Sequence, residues 1–238
     1  MGKLKVLSSG SHGNSYILNC CGENLLIELG VDWKEILKGL NYKLDSVVGA
    51  LCSHCHKDHS LSVSKALKSG VAVFSNEEVQ SIHYGVKALQ RGKKVRCGGF
   101  MIQRVDLFHN AECIGFLIEH KGMGRLLFCT DTNSIPYRFK SIHHFMVEAN
   151  YSNDVLLDNL CNDVHNRSAS ENHMEVNDTI EFLQHNVTPN TINVILIHLS
   201  NGNIDSNKAK EQVKRELSFS NVFVADSGLE LELSEEEF

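Results

Sequence analysis

The chain has 238 residues, 42% hydrophobic and 22% charged, which suits a soluble globular protein long enough to bury a sizeable core. Its formal net charge is −6, from 23 Lys and Arg against 29 Asp and Glu, so no global basic excess marks it as a binder of long nucleic acid. No apolar run reaches the roughly 18–20 residues of a membrane helix, the N-terminus lacks a signal-peptide core, and Val6 breaks the myristoylation pattern. Eight cysteines without framework spacing read as reduced thiols of a cytoplasmic protein. Cys52 and Cys55 form a C-x-x-C, but no second such pair exists and a histidine motif occupies the same segment.

Residues 3–8 alternate as a strand, and 15–20 with 24–29 flank a turn and read as a hairpin. Trp33, Ile36, Leu37 and Leu40 fall at helical spacing. Residues 47–52 form a buried-type strand, 60–69 a helix, 71–75 a strand and 76–89 a helix. Residues 94–120 and 125–130 are strand-rich around a turn at 121–124, and 144–149 is another strand. Val176, Ile180 and Leu183 mark a helix, 191–197 a buried strand, Ala209, Val213 and Leu217 a further helix, and 221–233 closing strands. The acidic end of the chain, Ser234 to Phe238, reads as solvated. With no linker or repeat, residues 1–238 are expected to form one α/β domain, two mixed sheets face to face with helices outside.

The segment from Leu51 to Ser60, LCSHCHKDHS, follows the buried strand and precedes a helix. A strand's carboxyl end is where open α/β sheets place their sites. In extended chain His54 and His56 project to the same side, within reach of one metal ion. Asp58 and His59 follow at the turn, displaced enough to serve a second ion. Imidazole and carboxylate suit zinc, and also manganese or iron. A solvated loop rich in histidine is the bland alternative, and three His with one Asp directly after an apolar strand argue against it.

His-x-His-x-Asp-His resembles the signature of the metallo-β-lactamase superfamily. Later stations fall in the family's order, each at the end of an apolar strand: His109 in VDLFHN, Asp131 in LFCTDTN and His198 in VILIHLS. The resemblance implies an αββα sandwich. It implies a first metal on His54, His56 and His109, a second on Asp58, His59 and His198, and Asp131 bridging them. The resemblance implies that two such ions, zinc or alternatively manganese, can hold a hydroxide for attack on the substrate, with Asp58 a candidate general base. The family usually carries Asp in the early strand; here Glu28 stands in LLIELG, and its longer side chain puts the bracing geometry in question.

Three features point towards a phosphodiester. Residues 8–15, SSGSHGNS, are similar to the Gly/Ser-rich opening of RNase Z and of YycJ-type exonucleases, which makes Ser11, His12 and Asn14 candidate phosphate contacts. A tight polar turn is the bland alternative. The second metal's set is complete, including Asp58. Glu148 in VEANY and His173 in ENHM resemble an RNase Z pair in which the carboxylate orients an imidazole that protonates the leaving oxygen. Met174 stands where Ser or Thr is common.

No tRNA-gripping arm interrupts the interval from His59 to His109, and the interval from Asp131 to His198 is too short for an inserted domain of RNase J type. The chain looks like the compact RNase Z-like proteins of phages, the anti-Pycsar type, which cleave cyclic mononucleotides in the host cytoplasm. A small 3′,5′-cyclic nucleotide is therefore the expected substrate. A nucleic acid, cut by a YycJ-like 5′ exonuclease or RNase Z-like endonuclease, is the alternative, favoured should Lys65, Lys68 and Arg138 converge on the cleft. A thioester or lactam hydrolase and a metal-free binding protein are further alternatives. A homodimer, common among relatives, and no membrane partner complete the expectation.

Overall fold

The computed structural model describes residues 1–159, 171–218 and 221–234. Cys161, His165 and the acidic end beyond Ser234 lie outside the described residues. Among the described residues, fourteen strands form two seven-stranded mixed sheets. In chain order the strands are β1 Gly2–Ser8, β2 Ser15–Cys20, β3 Glu23–Ile27, β4 Val47–Leu51, β5 Val73–Ser75, β6 Lys87–Ala88 and β7 Lys94–Cys97, followed by β8 Phe100–Leu107, β9 Cys113–His120, β10 Gly124–Cys129, β11 His144–Glu148, β12 Asn193–Ile197, β13 Val222–Val224 and β14 Glu230–Leu233. The first sheet runs β14-β1-β2-β3-β4-β5-β6 and the second β13-β12-β11-β10-β9-β8-β7. The helices are α1 Trp33–Gly39, α2 Lys57–Ser60, α3 Val63–Lys68, α4 Glu77–Ile82, α5 Asn153–Asn159, α6 Val176–Gln184 and α7 Ser206–Leu217.

Alternation along the strands decides the layers. Leu4, Val6, Leu18, Phe100, Phe116, Ile118 and Phe128 point between the sheets and are fully buried. Each such side chain contributes about 2–3 kcal/mol of burial. Tyr16 of the first sheet meets Phe128 of the second edge-on, ring centroids 5.7 Å apart. On the outer faces, Trp33, Ile36, Val63 and Val79 of α1, α3 and α4 cover the first sheet. Val176, Ile180 and Leu183 of α6 and Val213 of α7 cover the second. Strand β12, NVILI, is buried at every residue because it lies between parallel neighbours under helices. The αββα sandwich expected from the sequence is the one observed.

Local boundaries differ from the expectation at three places. The helix expected over 76–89 stops at Ile82, because Gly85 takes φ +103° and the chain turns out into the short strand β6. The helix expected over 60–69 is split into α2 and α3 on either side of Leu61 and Ser62. Helix α5 has no counterpart in the sequence reading. Among the described residues no helix is long and apolar enough to cross a membrane.

Candidate metal centre and active site

The carboxyl ends of β3, β4, β8, β10, β11 and β12 deliver Glu28, the 53–59 segment, His109, Asp131, Glu148 and His198 to one place. Nitrogen and oxygen atoms of His54, His56 and His109 lie within 4.8 Å of one another, and so do those of Asp58, His59, Asp131 and His198. In the first set, His54 Nε2 and His109 Nε2 stand 2.9 Å and 3.3 Å from His56 Nδ1. Asp131 lies between the sets. Its Oδ2 is 3.9 Å from both His54 Nε2 and His109 Nε2, and its Oδ1 is 3.2 Å from His59 Nε2 and 3.6 Å from His198 Nε2. Asp58 Oδ2 closes the second set at 3.3 Å from His59 Nε2 and 3.6 Å from His198 Nε2.

The backbone is bent to make this geometry. Glu28, Asp131 and His198 each take a left-handed φ, +62°, +49° and +53°, immediately after a strand or one residue beyond it. Such conformations cost roughly 1–3 kcal/mol each and persist where the surroundings over-determine them. Gly30 is equally constrained, since a Cβ there would lie 1.6 Å from the Asp58 carbonyl oxygen.

Partners behind the donors fix the imidazole tautomers. His109 Nδ1 donates to the Asn172 carbonyl at 3.1 Å, freeing Nε2 to face the first set. His59 Nδ1 lies 3.3 Å from Glu28 Oε2, and His198 Nδ1 lies 3.2 Å from Glu148 Oε1. His198 Nε2 is buried with no hydrogen-bond partner among the described residues, and it is aimed at Asp58 and Asp131. An orphaned imidazole nitrogen facing two carboxylates is what a metal ligand looks like before its ion is added. Glu28, Asp58, Asp131 and Glu148 converge here, and among the described residues their ion-pair partners are all histidines, with no Lys or Arg. That donor set demands positive charge, and the residues present fit two divalent ions.

Burial, joined by the neighbouring His59, holds His54 well below the usual imidazole range, and burial lowers His109 as well, so both stand neutral and ready to ligate. At His59 and His198 burial acts in the same direction, but the carboxylates outweigh it, and His198 is pushed up to about 10. For Asp58 and Asp131 burial opposes the charge, yet His198 and His59 hold both well below the carboxylate range.

Glu28 is fully buried, and its two oxygens accept from the Ser53 amide at 3.1 Å and 3.3 Å while facing His59. The longer side chain therefore reaches the site and braces it from beneath. Ser53, which the sequence reading passed over, also places its Oγ 2.9 Å from His54 Nδ1. Its position between the strand and His54 was the available signal.

Glu148 and His173 meet as the sequence suggested, with Oε1 and Nδ1 2.5 Å apart. The other oxygen of Glu148 accepts from the Thr132 amide at 3.0 Å. Burial works against the charge at both groups, but each is outweighed by the other: His173 is raised and Glu148 lowered. The His173 ring stacks on His198, centroids 5.3 Å apart, and keeps 17% of its side chain exposed.

The 8–15 loop corrects one expectation. Asn14 is only 1% exposed and faces inward. Its Nδ2 donates to the Gly10 and Asp58 carbonyls at 3.1 Å and 3.3 Å and lies 3.1 Å from His59 Nε2. It is a brace, with no face left for substrate. Ser9, not singled out before, accepts from the His198 amide at 2.9 Å and from the Tyr16 hydroxyl at 2.8 Å. Ser11 and His12 are exposed, and His12 Nδ1 lies 3.4 Å from Asn201 Nδ2.

A groove of about 560 Å³ opens onto the site at His109, walled by Phe108, Asn110, Asn133 and Asn172 among others, and a separate one of about 390 Å³, whose walls include Tyr137, Arg138, Asp178 and Glu181, holds neither metal set nor His173. Lys65 is paired with Asp32 at 2.9 Å and Arg138 lies in that groove, so the two are not joined in one basic cleft. Cys52 and Cys55 carry free thiols, and the Cys52 Sγ is spent on the His54 carbonyl at 3.2 Å.

No protein-family model matches the sequence. Over 173 residues the chain is 27% identical to exodeoxyribonuclease WalJ of two Streptococcus pneumoniae strains, D39 and R6, a match covering 65% of this chain and 64% of each relative. The matched part thus spans under two thirds of the relatives' length. Among solved structures, the metallo-β-lactamase fold protein YhfI of Bacillus subtilis superposes with TM-score 0.75 at 16% identity, covering 98% of this chain and 100% of that one. Human tRNase Z, short form, gives 0.69 at 12% identity over 97% and 99%. A diphosphatase of the PhnP family gives 0.65 at 16% identity over 99% and 100%.

Proposed function

We propose that this chain, which has the metallo-β-lactamase fold, is a two-metal phosphodiesterase in which His173 protonates the leaving oxygen. The observation that carries the reading is the Glu148 carboxylate, which touches His173 Nδ1 and His198 Nδ1 at once. Two divalent ions, zinc or manganese, supply Lewis-acid polarisation of the phosphoryl group and an acidified water when bound. His54, His56 and His109 would hold one and Asp58, His59 and His198 the other, with Asp131, whose oxygens face both sets, serving either.

The chain's own residues do the rest. Asp58, with its depressed pKa, stays an acceptor and orients the attacking water. Glu148 fixes the His173 tautomer and stabilises its charged form, so the second ring nitrogen carries a proton to give. An alkoxide leaving group needs that proton; a thiolate does not, and the pair would have no work in a thioesterase. Ser11 and His12 remain the loop's candidates for contact with a phosphate.

For substrate class, the WalJ match supports a nucleic acid cut by exonuclease chemistry. The second reading, a 3′,5′-cyclic nucleotide hydrolysed by a phage-encoded enzyme in the host cytoplasm, is supported by the groove of about 560 Å³ at His109, whose size suits one small ligand. A substrate panel tests both: metal-loaded protein with cyclic CMP, UMP, AMP and GMP, 5′-phosphorylated DNA, pre-tRNA and a lactam. Turnover of DNA is expected; turnover of the lactam alone would refute a phosphodiesterase.

A further inference from the structure

A third groove, of about 640 Å³, lies at the opposite end of the second sheet from the metal centre. Its walls carry Lys94, Arg96, Lys121 and Arg125, with Glu119 the sole carboxylate among its lining residues. Strand register explains the convergence. Arg96 pairs with Met101, Met101 with Glu119, and Glu119 with Arg125, so the four form one row across β7, β8, β9 and β10 on one face. Glu119 sits at the centre of that row and holds Lys94 Nζ at 3.0 Å and Arg125 Nε at 3.1 Å. A neighbouring carboxylate, Glu23, is spent on the Gly99 amide at 2.6 Å. Arg96 and Lys121 are exposed and form no ion pair among the described residues.

Cations gathered in one groove of a chain with net charge −6 need a reason. A row that only balanced charge within the sheet would need one cation per carboxylate, and here four face one. The lining offers no exposed large apolar side chain for a protein partner, and the row is too open for a small ligand. It suits the evenly spaced charges of a phosphate backbone.

The groove also stands at a telling distance. Strand β9 leads from Cys113, whose Sγ lies 3.7 Å from His54 Nδ1, to His120 in the groove wall. At ~3.4 Å per residue that is about 24 Å. The crossover between β10 and β11 follows the same course: Asn133 lines the groove that holds His109, and Lys140 accepts from Arg125 through its carbonyl at 2.5 Å. One DNA strand rises about 3.4 Å per residue, so roughly seven base pairs bridge the two places.

We infer that the Lys94–Arg96–Lys121–Arg125 groove is an anchoring site for the phosphate backbone of duplex DNA whose end is being cut at the metal centre. The inference rests on the nucleic-acid reading of the site and adds a second point of attachment. It predicts a length threshold: substrates shorter than about seven base pairs do not reach the anchor.

The test uses the full chain and the double variant Arg96→Glu with Lys121→Glu, both at exposed positions. Affinity for a fluorescent 5′-phosphorylated duplex of about 20 base pairs is read by anisotropy on metal-free protein across a salt series. Turnover of bis(p-nitrophenyl) phosphate is read on metal-loaded protein. The variant is expected to lose at least about tenfold in duplex affinity at low salt and to flatten the log–log salt slope by about 2, with small-substrate turnover unchanged. Equal duplex affinity and equal slope in both proteins, with small-substrate turnover intact, would overturn the anchor and leave the phosphodiesterase standing. Absent small-substrate turnover would instead count against the function itself.

Discussion

Glu148 Oε1 lies 2.5 Å from His173 Nδ1 and 3.2 Å from His198 Nδ1, so one buried carboxylate holds together two imidazoles, the proposed proton donor and a proposed metal ligand. Replacing His173 by Ala should therefore slow cleavage of a DNA phosphodiester by about 10²–10⁴-fold in kcat, with metal content unchanged. A p-nitrophenyl ester leaves without needing a proton, so its turnover should fall far less. Equal losses on both substrates would remove His173 from the acid role.

Glu148→Gln should do more damage than His173→Ala, because it disturbs both partners. Besides slowing turnover, it should weaken binding at the second metal by about 10–100-fold. Isothermal titration of metal-free protein reads this directly, and unchanged affinity for both ions would separate Glu148 from His198.

The same logic applies to the inward-facing Asn14. Asn14→Ala removes the side-chain amide that ties Gly10 to Asp58 and His59. Affinity for metal should drop, and KM measured at saturating metal should hold. Ser11→Ala, at an exposed position, should show the converse pattern. A raised KM with intact metal affinity in Asn14→Ala would return that residue to the substrate.

The contrast shows where sequence reasoning reaches. His54, His56, Asp58 and His59 stand out because they crowd into one short segment after an apolar strand, whereas His109, Asp131 and His198, each after an apolar strand, join them only through the order of the family's motifs. Glu148 and His173, distant in sequence, were legible only through a family pattern. The inward turn of Asn14 was not legible, because its direction depends on Gly10, Asp58 and His59 closing around it. Nor were the left-handed φ values of Glu28, Asp131 and His198, which tertiary contacts impose against local preference. The 76–89 segment failed for the opposite reason: its helical spacing is real, but Gly85 and the pairing of β6 with β5 override it.

Acid should destabilise the fold through His144 as well as through the metal site. This imidazole is buried, donates from Nε2 to the Met123 carbonyl at 3.0 Å and faces Asn193 Nδ2 through Nδ1 at 3.1 Å. Burial lowers its pKa from 6.5 to about 4. A depressed folded pKa means the unfolded chain takes the proton first. Stability is therefore unaffected above pH 6.5 and falls as pH drops from 6.5 towards 4, by about 2 kcal/mol between pH 7 and pH 5. Urea unfolding of wild type and His144→Gln at both pH values isolates the effect. The variant should lose less stability on acidification, and identical losses would show that His144 does not carry it.

The most direct test of the central claim is the metal stoichiometry of the chain. Metal-free protein titrated with zinc or manganese should bind two ions per chain, and Asp58→Ala should retain the one held by His54, His56 and His109. A wild-type stoichiometry of one or none, or two ions undisturbed in Asp131→Ala, would contradict a centre built on a bridging Asp131.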